Sequence, residues 1–377
     1  MHVVQVITSA AWGGAQQHVY DLARALRRRG HSVTVVYGVP GPLADRLAAA
    51  WIPALSEPAL GRLLVPWRDG RALAALVRLL RALAPDVIHA HSSKAGALVR
   101  LAAPRLPAPV VYTVHGLVYQ NARMPAWKRA FYHSVEAALL PRAAAVIAVS
   151  RADLAELERL QGGRDRPLLA YIPNGIDPAR FPVDPPLPDA PVFGTVARFV
   201  PEKALDVLVE AFARVRARWP EARLLLVGDG PGRPELERRI RRLGLEAAVE
   251  FPGYQPDPLP WLLRMRVFVL SSVKEGAPYT LLEALALRRL MVATAVGAVS
   301  DFLRDRAGVR LVPPGRVGAL AEAMSEVVAQ EPDRSAPVPT VDAMAEACLG
   351  VYRAVREPTS LKPGRQAGER WKVTNRP

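Results

Sequence analysis

The feature that most constrains this chain is an alternation that occurs twice. Strand-like runs fall at 3–8, 32–37, 86–90, 109–114 and 145–149, with amphipathic helical stretches between them. Parallel strands need a long crossover, usually a helix, so this alternation predicts a parallel, doubly wound sheet. Gly30 ends the first helical stretch after Arg27, Arg28 and Arg29, as a helix C-cap should, and His31-Ser32-Val33-Thr34-Val35-Val36 opens the next strand. The pattern then breaks into Pro178, Pro182, Pro185, Pro186, Pro188 and Pro191. Proline fixes φ and has no amide hydrogen to donate, so 178–191 reads as a linker. Beyond it the alternation resumes, with strands expected near 192–197, 223–227, 248–251, 267–271, 291–294 and 309–312. The fold class predicted is α/β, with two Rossmann-like, doubly wound parallel-sheet lobes at 1–177 and 192–339. Ligands of such sheets bind beyond the carboxyl ends of the strands, so the lobes are expected to face a central cleft. A helix at 340–356 follows, free to cross back to the first lobe, and a basic tail at 357–377 lacks periodicity and is expected to be mobile.

Composition narrows the class of protein. No apolar run reaches the roughly 18 residues a membrane-spanning helix needs. Met1-His2-Val3-Val4-Gln5-Val6-Ile7 reads as a first strand and not as a secretion signal, so a cytoplasmic location is expected. The single cysteine, Cys348, has no disulfide partner within the chain and is read as a small core residue. Residues 1–175 hold 21 Lys/Arg against 10 Asp/Glu, whereas 176–355 hold 23 of each. A basic first lobe suits an anionic membrane surface or a phosphorylated lipid, the alternative being arginine enrichment from a GC-rich genome. Over 67–81, Arg71, Arg78 and Arg81 share one helical face while Leu73, Leu76, Val77 and Leu80 form another stripe. Basic residues interleaved with aromatics are lacking, which argues against a nucleic-acid partner.

Several strand ends carry chemistry. Gly13-Gly14 follows the first strand and opens a helix, where bare backbone amides suit a phosphate; it is not the dinucleotide fingerprint. Arg198 and Lys203 bracket the turn after the first strand of the second lobe, two cations suited to a diphosphate leaving group. Gly228-Asp229-Gly230-Pro231 is a glycine-rich strand end of low specificity. In Ser271-Ser272-Val273-Lys274-Glu275-Gly276-Ala277-Pro278-Tyr279-Thr280-Leu281-Leu282-Glu283, Pro278 suits a helix start. Glu275 then precedes the helix and Glu283 lies inside it, about 12 Å apart even along one continuous helix. Glycosidase carboxylate pairs sit closer than this, so the spacing fits two contacts on one elongated ligand. The amides of Thr280 and Leu281 between them suit its phosphates. Ser93 and Lys94, after another strand, are candidates for an acceptor phosphate, the alternative for Ser93 being simple helix capping. His89 and His91 are expected to point to opposite faces of their strand, which, with no D-x-D carboxylate cluster, leads to the expectation of no metal site.

The spacing Glu275 to Glu283 resembles the E-x7-E signature of glycosyltransferase family 4. It is accompanied in order by Gly13-Gly14-Ala15-Gln16, Thr113-Val114-His115-Gly116, Ala148-Val149-Ser150, Ile172-Pro173-Asn174-Gly175-Ile176-Asp177, Arg198 with Lys203, and Leu311-Val312-Pro313-Pro314-Gly315. The likeness spans about 3–325. It implies a retaining, metal-independent glycosyltransferase of hexosyltransferase type with the GT-B fold. No cofactor is required beyond a nucleotide-sugar co-substrate, UDP-linked in preference to GDP-linked. The implied acceptor is a carbohydrate, cell-envelope polysaccharide or polyprenyl- or lipid-linked sugar on the side of the first lobe; the basic excess of that lobe adds the expectation of a peripheral place on the inner face of the cell membrane. The resemblance implies that Glu275 contacts the transferred sugar and Glu283 the ribose. It likewise puts Arg198 and Lys203 on the diphosphate, Gly14 on the phosphate side, and His115 near the reacting centre.

Three places depart from the family pattern. Ala204 stands where glycine usually follows the lysine, Leu287-Arg288-Arg289 replaces a small turn, and Gly297-Ala298-Val299-Ser300-Asp301 replaces a Gly-Gly-x-Pro-Glu run. The competing readings are a nucleotide-sugar epimerase or sugar-phosphate synthase of the same architecture, or a non-catalytic sugar-nucleotide-binding protein.

Overall fold

The computed structural model describes residues 1–61, 66–333 and 337–357. Two compact units emerge: Met1–Gln120 with Pro125–Gly175 and the chain from Pro339, and Asn121–Met124 with Ile176–Val338. From residue 358 on, the basic tail expected from the sequence lies outside the described residues.

The first unit contains β1 (His2–Ser9), α1 (Gly14–Arg28), β2 (Ser32–Val39), α2 (Pro42–Ala49), β3 (Ala54–Ser56), α3 (Pro66–Leu83), β4 (Val87–His91), α4 (Ser93–Ala102), β5 (Val110–Val114), α5 (Ala126–Leu139), β6 (Ala145–Ala148), α6 (Arg151–Gln161) and β7 (Leu168–Tyr171). Its described strands form one parallel sheet in the order β3-β2-β1-β4-β5-β6-β7. The central strands are buried on both faces, which is why they read as largely apolar runs, with Gln5, His89 and His91 as buried polar exceptions. Strand order reverses direction between β1 and β4, so the turns after these strands flank the crevice where such sheets bind ligands.

The second unit runs β8 (Val192–Val196), α7 (Leu205–Arg218), β9 (Arg223–Val227), α8 (Arg233–Arg242), β10 (Val249–Gly253), α9 (Leu259–Arg264), β11 (Val267–Leu270), α10 (Tyr279–Ala286), β12 (Leu290–Thr294), α11 (Val299–Leu303), β13 (Val309–Val312) and α12 (Val317–Val327). Its sheet, also parallel, has the order β10-β9-β8-β11-β12-β13, with the switch point between β8 and β11. The proline-rich stretch lies along this unit: the buried Arg289 donates to the Pro186 carbonyl at 3.0 Å, and Arg266 to that of Pro188 at 2.8 Å. Arginine anchors on its carbonyls fix a segment that composition alone marks as a linker.

The last helix, α13 (Val341–Arg356), belongs to the first unit and packs on α1. Thr340 caps it by accepting from the Ala343 amide, and Met344, Cys348, Leu349 and Tyr352 enter the same core as Val19, Leu22 and Leu26. Cys348 is thus a buried core residue.

Candidate active site

In the second unit the chemistry-bearing residues cluster at the switch point. Arg198 and Lys203 sit in the turn between β8 and α7, with Arg198 exposed and Lys203 half-buried. The glycine-rich turn after β9 holds that backbone in place. The Phe199 amide donates to the Asp229 carbonyl at 2.8 Å, and the Gly232 amide to the Phe199 carbonyl at 2.9 Å. A Cβ on Gly228, at φ +129°, would stand 1.9 Å from the Ala197 carbonyl oxygen, so glycine is required there. The turn of low specificity in sequence terms is the support of the loop that carries Arg198.

Glu275 lies in the loop between β11 and α10, and a single oxygen of its carboxylate takes two donors. Lys203 Nζ donates to Oε1 at 2.5 Å and Ser272 Oγ donates to the same atom at 2.6 Å. Ser271 Oγ in turn donates to the Lys203 carbonyl at 2.9 Å, so the two loops are laced together. Helix α10 begins at Tyr279 with the extended Pro278 as its N-cap, which puts the proline one position earlier than a first-turn residue. Thr280 and Leu281 are therefore first-turn residues whose amides have no partner within the helix. Glu283 follows inside α10 and is buried.

The family departures now have structural readings. Ala204 adopts φ 47° and ψ 43°, the left-handed conformation that favours glycine, as does Arg288 at φ 54°. Gly297, retained, sits at φ +53°, where a Cβ would lie 2.3 Å from the Glu275 carbonyl oxygen. The neighbouring Ala298 amide donates to the Gly276 carbonyl at 2.7 Å, bracing the Glu275 loop from behind.

In the first unit, Gly14 is the exposed first residue of α1, with Gly13 as its N-cap. Ser93 opens α4, whose N-cap is Ser92, so Ser93 is not the capping residue. Ser92 has φ 68° and ψ 149°, a strained conformation for a serine, and its hydroxyl meets that of Thr8 at 3.0 Å. Lys94 pairs with Asp69 at 2.6 Å, which offsets its charge as an anion ligand. Thr8, Ser92, Ser93 and Lys94 border a cavity of about 370 Å³ whose other walls include Tyr119, Phe131, Tyr132 and the Arg100–Glu136 pair. Arg100 donates from two nitrogens to both Glu136 oxygens, at 2.6 and 3.0 Å, and stacks over Tyr112.

His115, at the end of β5, belongs to a cluster. His91 Nδ1 and His115 Nε2 are 3.2 Å apart, and the rings of His89 and His91 lie 4.1 Å centroid to centroid. This corrects the expectation that His89 and His91 face opposite ways: alternation has a period of two, so residues two apart share a face. His18 of α1 completes the group, 4.8 Å from the His115 ring, with Nδ1 donating to Asn174 Oδ1 at 2.9 Å. Burial lowers the pKa of His18 to about 4 and holds His89, His91 and His115 well below the usual value, so all four are neutral at pH 7. Reading the sequence motif by motif missed His18, although it falls on the same helical stripe as Leu22 and Ala25.

Residues 12–180 match the family model described as Glycosyltransferase Family 4, and residues 190–330 match Glycosyl transferases group 1. D-inositol 3-phosphate glycosyltransferase of Kribbella flavida is 30% identical over 84% of this chain and 82% of its own. The chain belongs to glycosyltransferase family 4. Alpha-D-kanosaminyltransferase of Streptomyces kanamyceticus is 29% identical over 45% of this chain, and the match spans about half of that relative, 47% of its length. Among solved structures, Anabaena HepE in complex with UDP and glucose superposes with a TM-score of 0.75 at 22% identity, covering 95% of this chain and 99% of that one. At that identity the likeness establishes the fold, which is GT-B. Family membership places the Glu275–Lys203 pair and the α10 N-terminus within the family's second matched region.

Proposed function

We propose that this protein transfers a hexose from a UDP-linked donor, with retention of configuration, to a lipid-linked or polysaccharide acceptor of the cell envelope. The observation that carries the proposal is the shared oxygen of Glu275. A lysine suited to a diphosphate and a carboxylate suited to a sugar hydroxyl are bonded to each other across two loops. A bound diphosphate competes with Glu275 for Lys203, so donor binding would redistribute that ion pair and leave the carboxylate to accept from the sugar. The Thr280 and Leu281 amides supply neutral donors at the start of α10, where the helix dipole favours phosphate, and the buried Glu283 suits ribose hydroxyls. Together with Arg198 these groups stabilise charge developing on the departing diphosphate without a metal ion. His115 keeps the role that the family resemblance gives it, beside the transferred sugar.

The acceptor class is supported by the first unit. Its cavity is lined both by polar residues such as Ser93 and Lys94 and by aromatic ones such as Tyr119 and Phe131, a mixture that suits a sugar carried on an apolar tail. Helix α5 exposes Trp127 and Phe131 beside Lys128 and Arg129, and α3 exposes Arg71, Arg78 and Arg81. Aromatic and basic side chains together favour an anionic lipid surface, each cation adding about 1 kcal/mol. Among the described residues no helix is long and apolar enough to cross a membrane. Incubating the protein with UDP-sugars, with and without polyprenyl-phosphate-linked sugars, tests the reading: product of retained anomeric configuration is expected only with acceptor. Donor converted without acceptor would point to an epimerase, and cosedimentation indifferent to anionic lipid would remove the membrane.

A further inference from the structure

The histidine cluster holds more than a hydrogen-bonding role accounts for. Both nitrogens of His89 are occupied, meeting the Tyr352 hydroxyl at 2.6 Å and Thr113 Oγ1 at 2.7 Å, so His89 is a structural residue. The other three differ. His18 donates from Nδ1 to Asn174, which leaves Nε2 as a bare lone pair, fully buried and without a hydrogen-bond partner. His91 Nε2 is also buried with no partner, but the nitrogen that this ring turns toward His115 is Nδ1. One ring nitrogen from each of His18, His91 and His115 lies within 4.8 Å of the other two.

We propose that His18, His91 and His115 form a binding site for a divalent transition-metal ion of the zinc class. Zinc–imidazole bonds of about 2.0–2.1 Å in a tetrahedron set nitrogens roughly 3.3 Å apart. The hydrogen-bonded pair His91 Nδ1 and His115 Nε2, 3.2 Å apart, already has that length. The remaining edges close by small ring movements of His18, whose Nδ1–H···Oδ1 bond to Asn174 fixes the tautomer in the way that orients metal-ligating histidines. All three rings are held neutral by burial, which is the form that coordinates. Three imidazoles with no carboxylate among them select zinc, copper, nickel or cobalt over magnesium or calcium. His115 is the partly exposed member and gives the ion its way in. Resting on the role proposed for His115, a bound ion would engage that ring and inhibit transfer; chelation would then preserve activity or raise it.

The test is a titration of chelator-stripped full-length protein with Co²⁺, followed by its visible absorption, and with Zn²⁺ in competition with a chromophoric chelator. One equivalent per chain is expected, with no response to Mg²⁺. His18→Leu is expected to abolish binding, and Asn174→Ala, which keeps all three ligands, to weaken it roughly 10–100-fold. Absence of saturable binding by the wild-type chain overturns the site, as does undiminished binding in a folded His18→Leu variant. A parallel transfer assay separates this inference from the enzymatic reading, because metal binding is read without turnover. Stoichiometric binding supports the site even if no donor is turned over. Zinc inhibition that His18→Leu removes supports the site and its effect together.

Discussion

The two units present opposite electrostatics at the carboxyl ends of their sheets. The second is neutral by residue count, yet its switch point gathers Arg198, Lys203, Glu275 and Glu283. The first carries the basic excess, yet its strand ends hold glycines and serines beside a cluster of four histidines kept uncharged by burial. Its arginines at 71, 78 and 81 lie on the exposed face of an outer helix, and the buried Arg100 is cancelled by Glu136. Net charge therefore reports the surface a lobe presents to its surroundings, while the charge at a site is set by a few residues that turns deliver there.

If this contrast is right, charge removal has different consequences in the two units. Arg100→Ala leaves Glu136 buried and unpaired, and is expected to cost about 3–5 kcal/mol of stability, read as a fall in the urea midpoint. A small loss would show the pair to be hydrated and the first unit less dependent on it. Glu275→Ala is expected to lower kcat roughly a hundredfold or more with the melting temperature nearly kept, whereas Glu283→Ala mainly weakens UDP affinity. Wild-type UDP affinity in the Glu283 variant would sink the ribose assignment. A third measurement concerns the histidines. The folded-state pKa of His18, about 4, lies below its ordinary 6.5, so the unfolded chain binds more protons between those values. Stability should be complete above about pH 6.5 and decline as pH falls toward 4. A flat midpoint over that window would mean the cluster is hydrated or already protonated. The smallest effect is expected for Ala204→Gly, which relieves a left-handed alanine and should add about 1 kcal/mol. Destabilisation instead would show that the Ala204 methyl, almost fully buried, contributes more by packing than its backbone costs.

The long strands were legible because burial on both faces writes them as apolar runs. The edge strands β3 and β7 were not: they are only 3 and 4 residues long and leave little pattern. The order of Glu275, helix start and Glu283 was also visible, since it lies within one local segment. The lysine–carboxylate bond between loops 72 residues apart was not, because only the sheet order brings β8 beside β11. The histidine cluster was obscured by a wrong assignment of strand faces, and by taking motifs one at a time when its members come from α1, from β4 and from the turn after β5.

Helix α13 gives the molecule an unusual schedule. Its Met344, Cys348, Leu349 and Tyr352 complete the core begun by α1, and Tyr352 reaches His89 beneath the histidine cluster. During synthesis the first unit must wait, with that flank of α1 uncovered, until the whole second unit has emerged. Domains generally fold in the order in which they are made. Here the unit that is begun first is finished last, so a nonsense codon near 340 would damage the unit that starts at the amino terminus and leave the second, already complete, intact.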